Sequence, residues 1–299
     1  DIAFIPEGEA QVLVTHVLIT SQSDIFCEAE LVEIEQLKPE EALELLQKTL
    51  QQATFQELLK ELAERLFYHP LLVDMTGCYI RQIALRDRRK HLKAILLAEI
   101  AELKESSTHL PAGRKEAIHK EVERRWSVNL SRASEENVHV GETLGICAYL
   151  APNRIPVDWF ETELRESFGV LEAFGFCHRG AEEGYISMHA LVQLMSRRKD
   201  TERLALQTAV DLLNTKWGYA EEEFHIPKEV KQNAAHVEMI ARYLKEAKIH
   251  TEQVVDLLML LGIFQSARAL FGLSEKTFQE VLEVMRALCG EEASHPHVA

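Results

Sequence analysis

A chain of 299 residues, 46% hydrophobic and 27% charged, has room for two or three small domains and the balance of an ordinary globular protein. Its net charge of −15 repels phosphate backbones and argues against general nucleic-acid binding, and no apolar run approaches the roughly 18 residues a membrane span needs. With only 13 Gly and 8 Pro among long stretches of Leu, Glu, Ala, Lys and Gln, a mainly α fold is predicted.

The acidity is uneven: residues 1–66 hold 14 acids against 4 bases. Five cysteines (Cys27, Cys78, Cys147, Cys177, Cys289) are far apart, odd in number and form no CxxC. They read as buried free thiols, which predicts a cytoplasmic protein in a reducing compartment.

Residues 12–20, Val-Leu-Val-Thr-His-Val-Leu-Ile-Thr, are a near-continuous β-branched and apolar run, as in a strand buried on both faces of a parallel sheet. One such strand makes no sheet, so the start reads as the end of an α/β domain whose remainder lies upstream. Pro39-Glu40-Glu41 opens a helix, with acids at the positive end of its dipole. A second helix is expected over 55–67. It runs into Tyr68-His69-Pro70-Leu71-Leu72, where proline at a first helical position restarts the chain. The helix from Pro70 is expected to reach about Ala84, with others near 91–104 and 114–126.

Residues 137–200 read as one small unit. Helices are expected over 141–150, 156–165 and 170–174. A hairpin through Phe176–Arg179 and Tyr185–Ser187 follows, and a helix over 189–198 closes the unit. Helices followed by a hairpin are the layout of a winged helix. The expected helix 156–166 carries Asp158, Glu161, Glu163 and Glu166 against Arg165, a poor charge for reading DNA. Further helices are expected over 201–216, 228–246, 252–270 and 274–288.

No GxxxxGK[ST], GxSxG, HExxH or GxGxxG occurs. Leu71-Leu72-Val73-Asp74 imitates a strand ending in a magnesium-binding aspartate, but it follows a proline inside a helical pattern. His295-Pro296-His297 reads as a loop rather than a metal pair.

Three segments in order resemble the NB-ARC type of STAND signalling NTPase with a C-terminal TPR array. They are Val17-Leu18-Ile19-Thr20-Ser21-Gln22, His69-Pro70-Leu71-Leu72 and Ile186-Ser187-Met188-His189-Ala190-Leu191. The phrases Val32–Ala42 and Cys147–Pro152 are similar to that family as well. So are Leu258, Leu261, Gly262, Phe264, Phe278, Val281, Leu282 and Met285, which resemble a TPR hairpin of the kinesin-light-chain type.

The resemblance implies five parts. Residues 1–36 would be the end of an α/β nucleotide-binding domain, 37–136 a helical domain and 137–200 a winged helix. Residues 201–250 would be a helical linker, and 251–299 the first TPR repeat with the start of the next.

It implies ADP or ATP as ligand, with Thr20, Ser21 and Gln22 at the γ-phosphate, Pro70 and Leu71 near the base, and His189 at the β-phosphate. Magnesium would join only with the upstream part. It also implies protein partners on the repeats, a nucleotide-driven homo-oligomer, and at most a slow ATPase switch in the full-length protein. Gln22 stands where the family usually has Arg, and Ala190 where it often has Asp. The competing reading is a nucleotide-free helical scaffold or adaptor.

Overall fold

The computed structural model describes residues 36–86, 91–107, 114–180, 182–217 and 226–289. The expected strand over 12–20, the Val32–Glu35 part of the linking phrase, and His295–His297 lie outside them.

The described residues, 36–289, belong to one compact unit. The described part is mainly α. Five helices come first: α1 (Pro39–Leu50), α2 (Gln56–Arg65), α3 (Pro70–Arg86), α4 (Leu92–Ser107) and α5 (Arg114–Glu136). α1 starts where the sequence predicts, the Lys38 backbone N–H donating to Glu41 Oε2 at 2.8 Å. α3 packs on α1 so closely that a Cβ at Gly77 would lie 2.9 Å from Thr49 Cγ2. Leu71–Asp74 fall in the first turn of α3, so they are not the end of a strand.

α5 runs ten residues past its predicted end at 126. The extension is polar in composition, with Ser127, Asn129, Ser131 and Ser134. It stays helical because one face is buried at Asn129 and Ala133, and tertiary burial overrides weak propensity.

α6 (Val140–Cys147), α7 (Thr162–Ala173) and α8 (Ala190–Lys199) enclose a small antiparallel sheet. Its strands are β1 (Ile155–Pro156), β2 (His178–Arg179) and β3 (Tyr185–Ser187), in the order β1-β3-β2. Two predicted helices are corrected here. Pro156 opens no helix: it pairs with Tyr185 as part of an edge strand, where its missing N–H costs nothing. The pieces expected at 156–165 and 170–174 are replaced by the single helix α7, preceded by a 3-10 turn at Val157–Trp159. β3 holds the sheet together, with Ile155 opposite Ile186 on one side and His178 opposite Ser187 on the other.

α9 (Leu204–Lys216) and α10 (Lys228–Ala247) lead to a close pair, α11 (Glu252–Ala267) and α12 (Phe271–Cys289). Small residues make this seam. Ser274 Oγ donates to the Gly262 carbonyl at 2.8 Å, and Thr277 Oγ1 to Gln265 Oε1 at 2.8 Å. A Cβ at Gly262 would come 2.7 Å from the Phe278 ring. Gly262→Leu is therefore expected to cost about 2–3 kcal/mol by overpacking, seen as a lower urea midpoint and faster amide exchange in both helices.

One continuous hydrophobic cluster runs from Ala42 to Met285. Cys78, Cys147, Cys177 and Cys289 are free thiols, and burial pushes Cys147 well above the usual thiol range. Among the described residues no helix is long and apolar enough to cross a membrane.

Candidate functional site

The corner between α2 and α3 is built from backbone. After the α2 cap at Leu66, Phe67 and Tyr68 both take the left-handed conformation, with φ of 58° and 55°. Two successive left-handed residues without glycine cost about 1–2 kcal/mol each. Hydrogen bonds hold them: Phe67 N to Glu64 O, Tyr68 N to Ala63 O and His69 N to Leu66 O, each 3.0 Å. Leu37 N then closes onto Tyr68 O at 3.2 Å. Pro70 is exposed at the first position of α3. Leu71 is only 6% exposed and belongs to the core.

His189 lies in another part of the chain, as the N-cap of α8. Its Nδ1 accepts from Leu191 N at 3.1 Å, which leaves the other ring nitrogen, Nε2, as the N–H donor. The His69 ring lies within electrostatic reach of His189, and that of His189 within reach of His178. Both His69 and His189 are held below the usual histidine range, by burial first and by the neighbouring imidazole second. His119, on α5, adds to the effect on His69. His69 Nδ1 is buried and finds no hydrogen-bond partner among the described residues.

A cross-link lies one turn further along α3. Asp74 Oδ2 is 3.3 Å from His178 Nε2 on β2, and Asp74 Oδ1 accepts from Thr49 Oγ1 at 3.3 Å. Burial pushes the Asp74 carboxyl above the usual range, while His178 and Thr49 pull it back. The Cys78 thiol is pushed up to about 12, mainly by burial and then by the charge of Asp74, so it is no nucleophile.

Two further contacts fix the spacing between α3 and the C-terminal end of α7. Asn129 Nδ2 donates to Met75 O at 3.0 Å and to Phe174 O at 2.9 Å. Gly175, with φ of 75°, lies against α3, where a Cβ would sit 3.2 Å from Met75 Cα. Only glycine meets both demands without strain.

Of the predicted site residues, Pro70 is exposed at the corner, Leu71 is in the core and His189 caps α8; the structure adds His69, Asp74 and His178, which the sequence reading did not single out as site residues. A signal for Asp74 existed: a lone acid in the apolar run Leu71–Met75. None existed for His178. Thr20, Ser21 and Gln22 lie outside the described residues. Among the described residues no group of three or more His, Cys, Asp or Glu is arranged to hold a metal ion.

No profile of a known protein family matches the chain, and no characterised protein matches it.

What the arrangement can do chemically follows from the donors. Two imidazoles whose burial favours the neutral ring lie within electrostatic reach of each other at the N-termini of two helices, where the helix dipoles favour negative charge. Among the described residues, one ring offers an N–H without an acceptor and the other a buried nitrogen without a partner.

Proposed function

We propose that the chain is the regulatory part of an ADP/ATP-dependent signalling switch. In this reading a nucleotide bridges the α3 corner and His189, and α11 with α12 begins a TPR array that engages protein partners. The observation that carries the reading is that His69, beside Pro70, lies within electrostatic reach of His189, 120 residues away in sequence, each at a helix N-terminus. The donor set suits a polyphosphate: among the described residues the His189 Nε2–H has no hydrogen-bond acceptor, and the buried His69 Nδ1 has no partner. Bound ADP would supply the negative charge that both helix ends favour. Pro70 would offer an exposed apolar ring to a base.

A switch needs a ligand that prefers one of two states. A nucleotide held by α3 and by α8 at once binds only when the two are apposed, so it would stabilise the closed arrangement. The α11–α12 pair supports the partner-binding half of the reading through its close glycine seam and its outward Phe271 (66% exposed) and Leu273.

The test is retention of labelled ADP by full-length protein after rapid gel filtration. The wild type is expected to keep ADP and His189→Ala to lose it at least tenfold faster. Equal retention removes His189 from the switch, and no retention by the wild type favours a nucleotide-free scaffold.

A further inference from the structure

A buried imidazole on α10 ties that helix to the turn between α6 and β1. His236 is 1% exposed, and both of its ring nitrogens are committed to the backbone of one tight turn, residues 151–154. Ala151 N donates to Nδ1 at 3.0 Å. Nδ1 must therefore be the acceptor, which puts the proton on Nε2, 3.0 Å from the Arg154 carbonyl that accepts it. The Trp159 ring meets the imidazole edge-on at 5.4 Å. The same turn holds Arg154 with φ of 59°. Its guanidinium is the charged group facing the ring, and it bonds Glu182 at 2.6 Å and Gln232 on α10 at 3.0 Å while lying 4.4 Å from the Tyr185 ring centroid.

This geometry has no place for a second ring proton. A proton on Nδ1 would point at the Ala151 N–H, so the bond between turn and helix would be lost and a charge left buried beside Arg154. We propose that His236 is a proton-operated latch: its neutral ring ties the winged-helix turn to α10, and protonation loosens α10, which leads into the α11–α12 pair, from that turn. The device does not depend on the nucleotide reading, since it involves neither the α3 corner nor His189.

The direction of the pH effect is fixed. In the closed state burial, the largest cause, outweighs the upward pull of the hydrogen bond to the Arg154 carbonyl and, with a smaller push from the Arg154 charge, brings the ring down to about 4 from its ordinary 6.5. Once open, the ring takes its proton near 6.5. The open state binds more protons between these values. The latch is therefore fully effective above about 6.5 and weakens by up to about tenfold for each pH unit below it, until about 4.

The experiment is hydrogen–deuterium exchange of the whole chain at pH 7 and pH 5, corrected for intrinsic rates. Protection of α10 relative to α6 is expected to fall by about tenfold or more in the wild type. It should stay level in His236→Gln, whose amide can accept from Ala151 and donate to Arg154 without titrating. An equal fall in both proteins, or none in the wild type, overturns the proposal. Should the variant not fold, the His236 Cε1–H shift of the wild type decides: titration near 4 supports the latch, and titration near 6.5 overturns it.

Discussion

Asn129→Asp is expected to cost about 3 kcal/mol or more at pH 7, because it replaces a donor to two buried carbonyls with a carboxylate that repels them. The change is isosteric, so packing is kept and the effect isolates the two hydrogen bonds to Met75 O and Phe174 O. Met75 follows Asp74, and Phe174 precedes the segment that carries His178. Asn129 therefore helps set the distance across which Asp74 meets His178.

Protonation restores one donor. Burial raises the folded-state pKa of the new carboxyl above the unfolded value of about 3.9, so the deficit grows as pH rises above that value and shrinks again in acid. Urea unfolding at pH 7 and pH 4.5 checks this. A loss below 1 kcal/mol at pH 7 would mean that the two carbonyls find other donors.

Glu99→Ala is the second large effect, about 3–5 kcal/mol, because it strands a buried guanidinium. Arg125 and Glu99 are 1% and 4% exposed and pair across α5 and α4. Arg125 also lies 5.0 Å from the Tyr79 ring centroid on α3. Burial pushes Arg125 down to about 10, a measure of how poorly the site tolerates charge. Arg124 reaches the same acid at 3.9 Å and Glu121 at 2.7 Å, but it is more exposed and cannot replace its neighbour. The double change Glu99→Leu with Arg125→Met removes both charges and is expected to fall within about 1 kcal/mol of wild type or above it. Denaturant midpoints of the single and double variants separate these outcomes. A single variant as stable as the wild type would show that Arg125 stays solvated.

Helix positions were legible wherever the apolar residues repeat at three and four. α1, α3 and α10 begin where proline or an acidic first turn says they should. The error at Pro156 has a physical cause: the same fixed φ suits a first helical turn and an edge strand, and only the partner strand at Tyr185 decides between them. The length of α5 was hidden for a related reason. Asn129 looks like a helix breaker in sequence and is a buried clamp in the fold.

At the site, the family resemblance names Pro70 and His189, while His69 enters only as part of the corner and is given no role. Asp74 and His178 could not be paired beforehand. Their contact depends on how the β2 strand lies on α3, and that packing rests on Gly175 and Asn129 rather than on any local pattern.

The central claim is that one nucleotide touches both the α3 corner and the start of α8. The most direct measurement is the ring spectrum of histidine-labelled full-length protein as ADP is added. The account predicts that His69 and His189 shift together with a single dissociation constant while His236 stays still. Saturable ADP binding that leaves both His69 and His189 unmoved would contradict it.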